Sequence, residues 1–262
     1  MSKNIPVATP EQEESWIGVI VEIVVVVVQA LAIALVIRTL LFQPFNIPSG
    51  SMIPTLLVGD YVFVSKYSYG YSKHSIWGSP DVFSGRVLGT EPKRGDVVVF
   101  KLPRDNDTDY IKRVIGLPGD RIQMIEGRLY INNQIVPREP IAKFKLDDRD
   151  GALVEVPTYK ETLPGGVEHT IIEIHGDHGM YDNTDLYVVP PGNYFMMGDN
   201  RDNSTDSRFP KSEGVGYVPF ENLVGRAERI FFSVDVKEGE SALAFWKWPF
   251  NARWGRILKV AH

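Results

Sequence analysis

One stretch of the chain is apolar without any period. From Ile17 to Ile37 it reads IGVIVEIVVVVVQALAIALVI, with only Glu22 and Gln29 as polar side chains. A helix of that length, at about 1.5 Å per residue, spans about 31 Å, the thickness of a bilayer's hydrocarbon core. The six β-branched residues from Ile23 to Val28 favour a strand in water. Strands seldom exceed about ten residues, however, and lipid forces the backbone to close its hydrogen bonds within a helix. A cleavable leader is the alternative, because Ala32-Ile33-Ala34 resembles a cleavage site. Against it, Lys3 faces Glu11, Glu13 and Glu14, so a basic leading region is missing, and the apolar run continues past Ala34. The pattern therefore predicts a short tail over 1–16, a transmembrane helix over 17–37 and a β-rich domain over 38–262. Lys3 before the span and Arg38 after it nearly balance, so charge bias alone does not orient it.

After Arg38 the pattern changes to short β-branched and aromatic runs bounded by Gly, Asp or Pro. These predict strands at Tyr61–Lys66, Gly95–Phe100, Asp109–Ile115, Arg121–Ile125, Arg128–Ile131, Tyr187–Val189, Tyr194–Met197 and Leu223–Val234. Glu126-Gly127 and Asn132-Asn133-Gln134 supply hairpin turns. Such spacing, without helical periodicity between the runs, predicts a mainly β fold with an antiparallel sheet, preceded by one N-terminal transmembrane helix. Two stretches read as insertions: 67–89, rich in Tyr, Ser and Gly, and 138–185, long and polar. No repeat of 20–50 residues is visible, which argues against a solenoid or propeller.

Composition narrows the chemistry. The chain has 262 residues, and 28 basic against 33 acidic side chains leave a net charge of −5, which argues against a nucleic-acid partner. The absence of cysteine rules out disulfides, zinc-thiolate sites, iron–sulfur clusters and thiol catalysis.

Three segments could carry a reaction. In Gln43–Pro54, prolines at 44, 48 and 54 hold the backbone extended, and Ser51 sits on that stiff support beside Ile47, Met52 and Ile53. A rigid linker off the membrane helix is the plain alternative. A serine nucleophile needs a base, yet the G-x-S-x-G frame fails and none of His74, His169, His175, His178 or His262 stands in a triad-like context. In Asp109–Asp120, a strand puts Tyr110, Lys112 and Val114 on one face. A lysine between apolar neighbours loses pKa by burial; to act as a base it must fall about 3 units from ~10.4. Arg113 cannot replace it, because guanidinium keeps its proton. An ordinary exposed lysine is the alternative here. The third segment, Met197–Arg208, is dense in small polar groups and suggests a loop built on internal hydrogen bonds. Asp202, Ser204, Asp206 and Glu213 fall at calcium-loop spacing, but Ser207 stands where glycine is wanted and Pro210 interrupts. His175-Gly176-Asp177-His178 offers ligand atoms without an evident third partner. No metal and no cofactor are expected.

Taken together, four boxes resemble those of the bacterial type I signal peptidases: Ile47–Leu56, Arg94–Phe100, Tyr110–Asp120 and Gly198–Arg208. They follow a membrane span in the family's order and cover the chain from about Gln43 to Phe232. The two insertions depart from the minimal pattern and resemble the larger Gram-negative members, many of which carry two spans where one is visible here. The resemblance implies a serine endopeptidase of the inner membrane, with its N-terminus cytoplasmic and its catalytic domain extracytoplasmic. Its partners would be the lipid bilayer and signal-peptide-bearing preproteins, cleaved after small residues at Ala-x-Ala-like sites. It further implies Ser51 as nucleophile, Lys112 as general base, and Ser49 with the Ser51 amide as oxyanion hole. Ser204 would orient the lysine, Asp206 would stand near Arg113 and Arg208, and Asp199 would support the site. Phe45, Ile47, Leu56, Tyr110 and Ile111 match the apolar substrate pockets. Two other classes compete: a membrane-tethered β module without catalysis, and a Ser–Lys self-cleaving repressor. The latter wants a basic DNA-binding domain where the membrane span stands. The C-terminal Phe245–Phe250, Trp254 and Arg256 mix aromatic and basic residues, as membrane-interface segments do.

Overall fold

The computed structural model describes residues 16–76, 78–147, 153–235 and 251–261. Helix α1 runs Trp16–Leu40, and none of its residues is buried against the rest of the chain. It extends three residues beyond the expected span: Arg38, Thr39 and Leu40 continue the helix up to the first strand, and Leu41 N still donates to Ile37 O. Strands β1 (Phe42–Asn46), β2 (Asp60–Ser65), β3 (Val97–Lys101) and β4 (Asp109–Gly116) follow. Next come β5 (Arg121–Ile125), β6 (Arg128–Ile131), β7 (Gln134–Ile135), β8 (Arg138–Pro140), β9 (Phe144–Asp147), β10 (Leu153–Val156), β11 (Thr158–Leu163), β12 (Val167–Ile172) and β13 (Tyr187–Val188). The chain closes with β14 (Asn193–Met197), β15 (Val218–Pro219) and β16 (Leu223–Ser233).

The principal sheet has the order β1-β2-β16-β3-β4-β14-β15, with every neighbouring pair antiparallel. Central β3 reads Val97-Val98-Val99-Phe100 because both of its faces are covered. Val97 and Val99 join a core with Ile47, Met52, Leu56, Val62 and Ile230, whereas Val98 and Phe100 join another with Tyr69, Val114, Tyr194 and Met196. The eleven-residue β16 pairs with both β2 and β3 through several register shifts. Beside the shift against β3, a Cβ on Gly225 would meet Ser65 O of β2 at 2.4 Å, so only glycine lets β16 and β2 close there.

Residues 121–188 form a second body of smaller sheets. Strands β13-β5-β6-β7 make one, turned by Glu126-Gly127 and Asn132-Asn133, all four with positive φ as such tight hairpins require. Strands β12-β11-β8 make another, and β9 with β10 forms a hairpin. The polar 138–185 stretch thus carries five strands, β8 to β12, that its hydropathy pattern conceals.

Candidate active site

Met52 and Leu56, both fully buried in the core, pin the turn that carries Ser51. Gly50–Met52 is a short 3-10 turn, and its first amides have no acceptor within the turn, so the Ser51 N–H is available. Ser49 Oγ lies 3.4 Å from Ser51 Oγ. Lys112 sits in β4 opposite Val98 of β3, and its Nζ is hydrogen-bonded to Ser51 Oγ at 2.5 Å and donates to Ile111 O at 3.0 Å. The Tyr110 ring, from the same strand face, lies 5.5 Å from Nζ.

Lys112 is only 3% exposed. Burial lowers its pKa to about 8, Asp206 and Asp199 oppose that fall, and Arg208 adds to it. The two carboxylates do not overcome burial, and each already holds an arginine. Arg113 grips Asp199 through Nε–Oδ1 at 2.8 Å and Nη2–Oδ2 at 2.7 Å, and Arg208 Nε meets Asp206 Oδ1 at 2.9 Å. Burial pushes Asp199 upward, but Arg113 and the Thr55 hydroxyl outweigh it and hold the acid below its usual range. Asp206 is held low against burial by Arg208 in the same way.

The loop after β14 clamps the serine turn from behind. Asn200 N donates to Ser51 O, and Asn200 Nδ2 donates to Gly50 O, each at 3.1 Å. A Cβ on Gly198 would lie 2.5 Å from Ser51 O and 2.3 Å from Ser204 Oγ, so residue 198 must be glycine for the loop to approach this closely. In front of Ser51 opens a cleft of about 550 Å³, lined by residues 45–51 on one side and 108–112 on the other, with Asn203 and Thr205 completing it.

The structure therefore brings Ser51, Lys112, Ser49, Phe45, Ile47, Tyr110 and Ile111 to one cleft. Three expectations need correction. Leu56 is fully buried in the core and does not line the cleft. Arg113 pairs with Asp199 and leaves Asp206 to Arg208, because Arg113 and Asp199 come side by side where β4 meets the end of β14. Ser204 makes no hydrogen bond to Lys112: its buried hydroxyl has no partner among the described residues, while the lysine's bonds go to Ser51 and Ile111. Sequence reasoning missed Asn200 and Thr55, whose role is set by partners about 150 residues away, and the buried group Glu161, His169 and Arg201 behind Asp199.

A serine hydrogen-bonded to a buried lysine thus lines an open cleft of a β fold, in a chain that also carries a helix of membrane-spanning length. Comparison with known proteins makes this specific. The sequence model described as "Signal peptidase, peptidase S26" matches residues 20–232. Signal peptidase I of Rickettsia typhi is 44% identical over 243 residues, covering 87% of this chain and 89% of the relative. That of Rickettsia conorii is 43% identical over 213 residues, covering 79% and 77%. A solved signal peptidase I from Enterococcus faecalis is similar at 24% identity, covering 52% of this chain and 97% of that one, with a TM-score of 0.30. The chain belongs to the signal peptidase family, peptidase S26: it is a signal-peptide-cleaving peptidase with an N-terminal helix suited to membrane anchoring.

Proposed function

We propose that Ser51 is the nucleophile and neutral Lys112 its general base, cutting exported preproteins after small residues. The observation that carries this reading is the 2.5 Å contact between Ser51 Oγ and a buried lysine amine. Neutral Lys112 takes the hydroxyl proton as Oγ attacks the scissile carbonyl. The Ser51 N–H and the Ser49 hydroxyl meet the developing oxyanion, a type of donor typically worth about 3 kcal/mol in the transition state. The protonated lysine then returns its proton to the leaving amine, and a water activated by the same amine releases the acyl group.

Strand β1 is the edge of the principal sheet, and β14 pairs with β4 only from Arg113 onward, leaving Asp109–Lys112 unpaired on that side. An extended peptide can add to such edges, with Phe45, Ile47, Tyr110 and Ile111 receiving its apolar side chains. The preprotein's leader lies in the bilayer, and the cleft stands close to the anchor. From Leu40 to Ser51 the chain can reach at most about 37 Å. The N-terminus is then cytoplasmic and the catalytic domain extracytoplasmic. At the C-terminal end, Trp254 is exposed as a membrane-facing residue would be, whereas Arg256 is turned inward onto Asp60; Phe245–Phe250 lie outside the described residues. Incubation with a precursor ending its leader in Ala-x-Ala tests the chemistry. Wild type should cut it once after the second alanine, Ser51→Ala should not, and unchanged cleavage by Ser51→Ala would refute the assignment. Protease shaving of spheroplasts tests the side, and a protected domain would overturn it.

A further inference from the structure

Away from the cleft, three carboxylates converge. Glu173 follows β12, Asp182 follows the 3-10 turn Gly176–His178, and Asp202 comes from the loop that also carries Asp199. One oxygen of each lies within 4.8 Å of the others. Glu173 is fully buried, and neither of its oxygens has a hydrogen-bond partner among the described residues. Asp182 and Asp202 each use a single oxygen: Asp182 Oδ2 accepts from Gly179 N at 2.5 Å and Asp202 Oδ2 from His175 N at 2.7 Å. At Gly179 a Cβ would fall 2.0 Å from Asp202 Oδ1 and 3.3 Å from Asp182 Oδ2, so the backbone here is folded tightly against both acids.

The arginines around the cluster are engaged elsewhere. Arg138 Nη1 stands 3.6 Å from Glu173 Oε1 but donates to Gly127 O, and its Nη2 donates to Asp177 Oδ1. Arg201 forks onto Glu161, leaving only a buried Nε without a partner, and Arg208 holds Asp206. Burying a carboxylate such as Glu173 without hydrogen bonds beside two other acids is strongly unfavourable unless something positive sits among them.

We propose that Glu173, Asp182 and Asp202 hold one hard divalent cation, Ca²⁺ by the chemistry of the site. The donors are all carboxylate oxygens, which excludes the sulfur and imidazole set that selects zinc. Two oxygens each about 2.4 Å from a calcium ion stand at most about 4.8 Å apart, so the observed grouping fits one coordination sphere. The ligands come from irregular loop backbone, which suits calcium's loose geometry better than the strict octahedron of magnesium. The ion would tie residues 173–182 to the loop that clamps Ser51. The competing occupant is a proton: burial, followed by the charges of Asp202 and Asp182, pushes Glu173 up to about 8.

The test uses the full-length protein in detergent micelles, stripped with chelator and desalted, with CaCl₂ or MgCl₂ alone as the probe. Equilibrium dialysis should find one Ca²⁺ per chain, and saturating Ca²⁺ should raise Tm by about 5 °C, with Mg²⁺ giving less. Glu173→Gln and, separately, Asp202→Asn should remove both effects, while Glu139→Gln on the exposed surface should keep them. Absence of stoichiometric Ca²⁺ binding in the wild type overturns the proposal whether or not a variant folds. Undiminished binding in Glu173→Gln overturns it as well. A wild type indifferent to both ions, beside a Glu173→Gln protein of higher Tm, assigns the cluster to a shared proton.

Discussion

The loop after β14 sends acids into two buried settings, and they are solved differently. Asp199 and Asp206 each hold an arginine, and their pull on Lys112 does not outweigh its burial. Asp202 joins Glu173 and Asp182, where no guanidinium makes a hydrogen bond to any of the three acids. In the first setting the pairing is internal, which leaves burial free to depress the lysine. In the second, Arg138 stands 3.6 Å from Glu173 without a hydrogen bond to it, and the proposed ion supplies the rest of the balancing charge. A buried carboxylate is thus a tuning device or a ligand according to whether its countercharge is built in.

The largest effect that would break this contrast lies at the dyad. Ser51→Ala, Lys112→Ala and Lys112→Arg should each lower kcat/KM by at least about 10³-fold, with circular dichroism and Tm showing a folded protein. Lys112→Arg keeps the charge without a removable proton, and appreciable activity in that variant would end the general-base assignment. Next comes the internal pairing. Asp199→Ala strands a buried Arg113 and should cost about 3–5 kcal/mol in denaturant unfolding. A loss under about 1 kcal/mol would mean that Arg113 finds water or another partner.

The pH profile sharpens the comparison further. Lys112 titrates near 8, below the ~10.4 of an unfolded chain, so its neutral form grows as pH rises. Activity should climb about tenfold per pH unit below 8 and flatten above it. A profile already flat from pH 6 would show that the lysine is deprotonated throughout, and one still rising at pH 10 would show that burial does not lower it. The smallest effect belongs to the second setting. In chelator, Glu173→Gln should change stability by no more than about 1 kcal/mol, in either direction, because it removes a charge that has no hydrogen bond and meets Arg138 only at 3.6 Å. A loss as large as that of Asp199→Ala would show that Glu173 is internally paired after all.

How far the sequence discloses this depends on where polarity lies. The principal sheet is legible because its strands are buried through apolar side chains, as in Val97–Phe100 and Asn193–Met197. The serine and lysine boxes are legible because proline stiffness and strand alternation are local properties. Strands β11 and β12 are not, since the residues they turn inward include Glu161 and His169, which face each other in register and lie beside Arg201. A polar interior inverts the signal on which pattern reading depends. Leu56 failed for the opposite reason: an apolar residue beside the serine turn reads equally well as pocket or core, and packing with Met52 and Val62 makes it core. The acid cluster draws on positions 173, 182 and 202, which only the meeting of two loops brings together.

The edge strand β1 carries one further consequence, for behaviour in crowded membranes. Ile47 N donates inward to Asp60 O, so by alternation the amide positions of Phe42, Pro44 and Asn46 face outward. Proline has no hydrogen there to give. A short peptide can still bond at the Asn46 end, nearest Ser51. A second copy of the same edge cannot zip along its full length, because the row of donors is broken in the middle. The open edge is thereby guarded against templating its own aggregation.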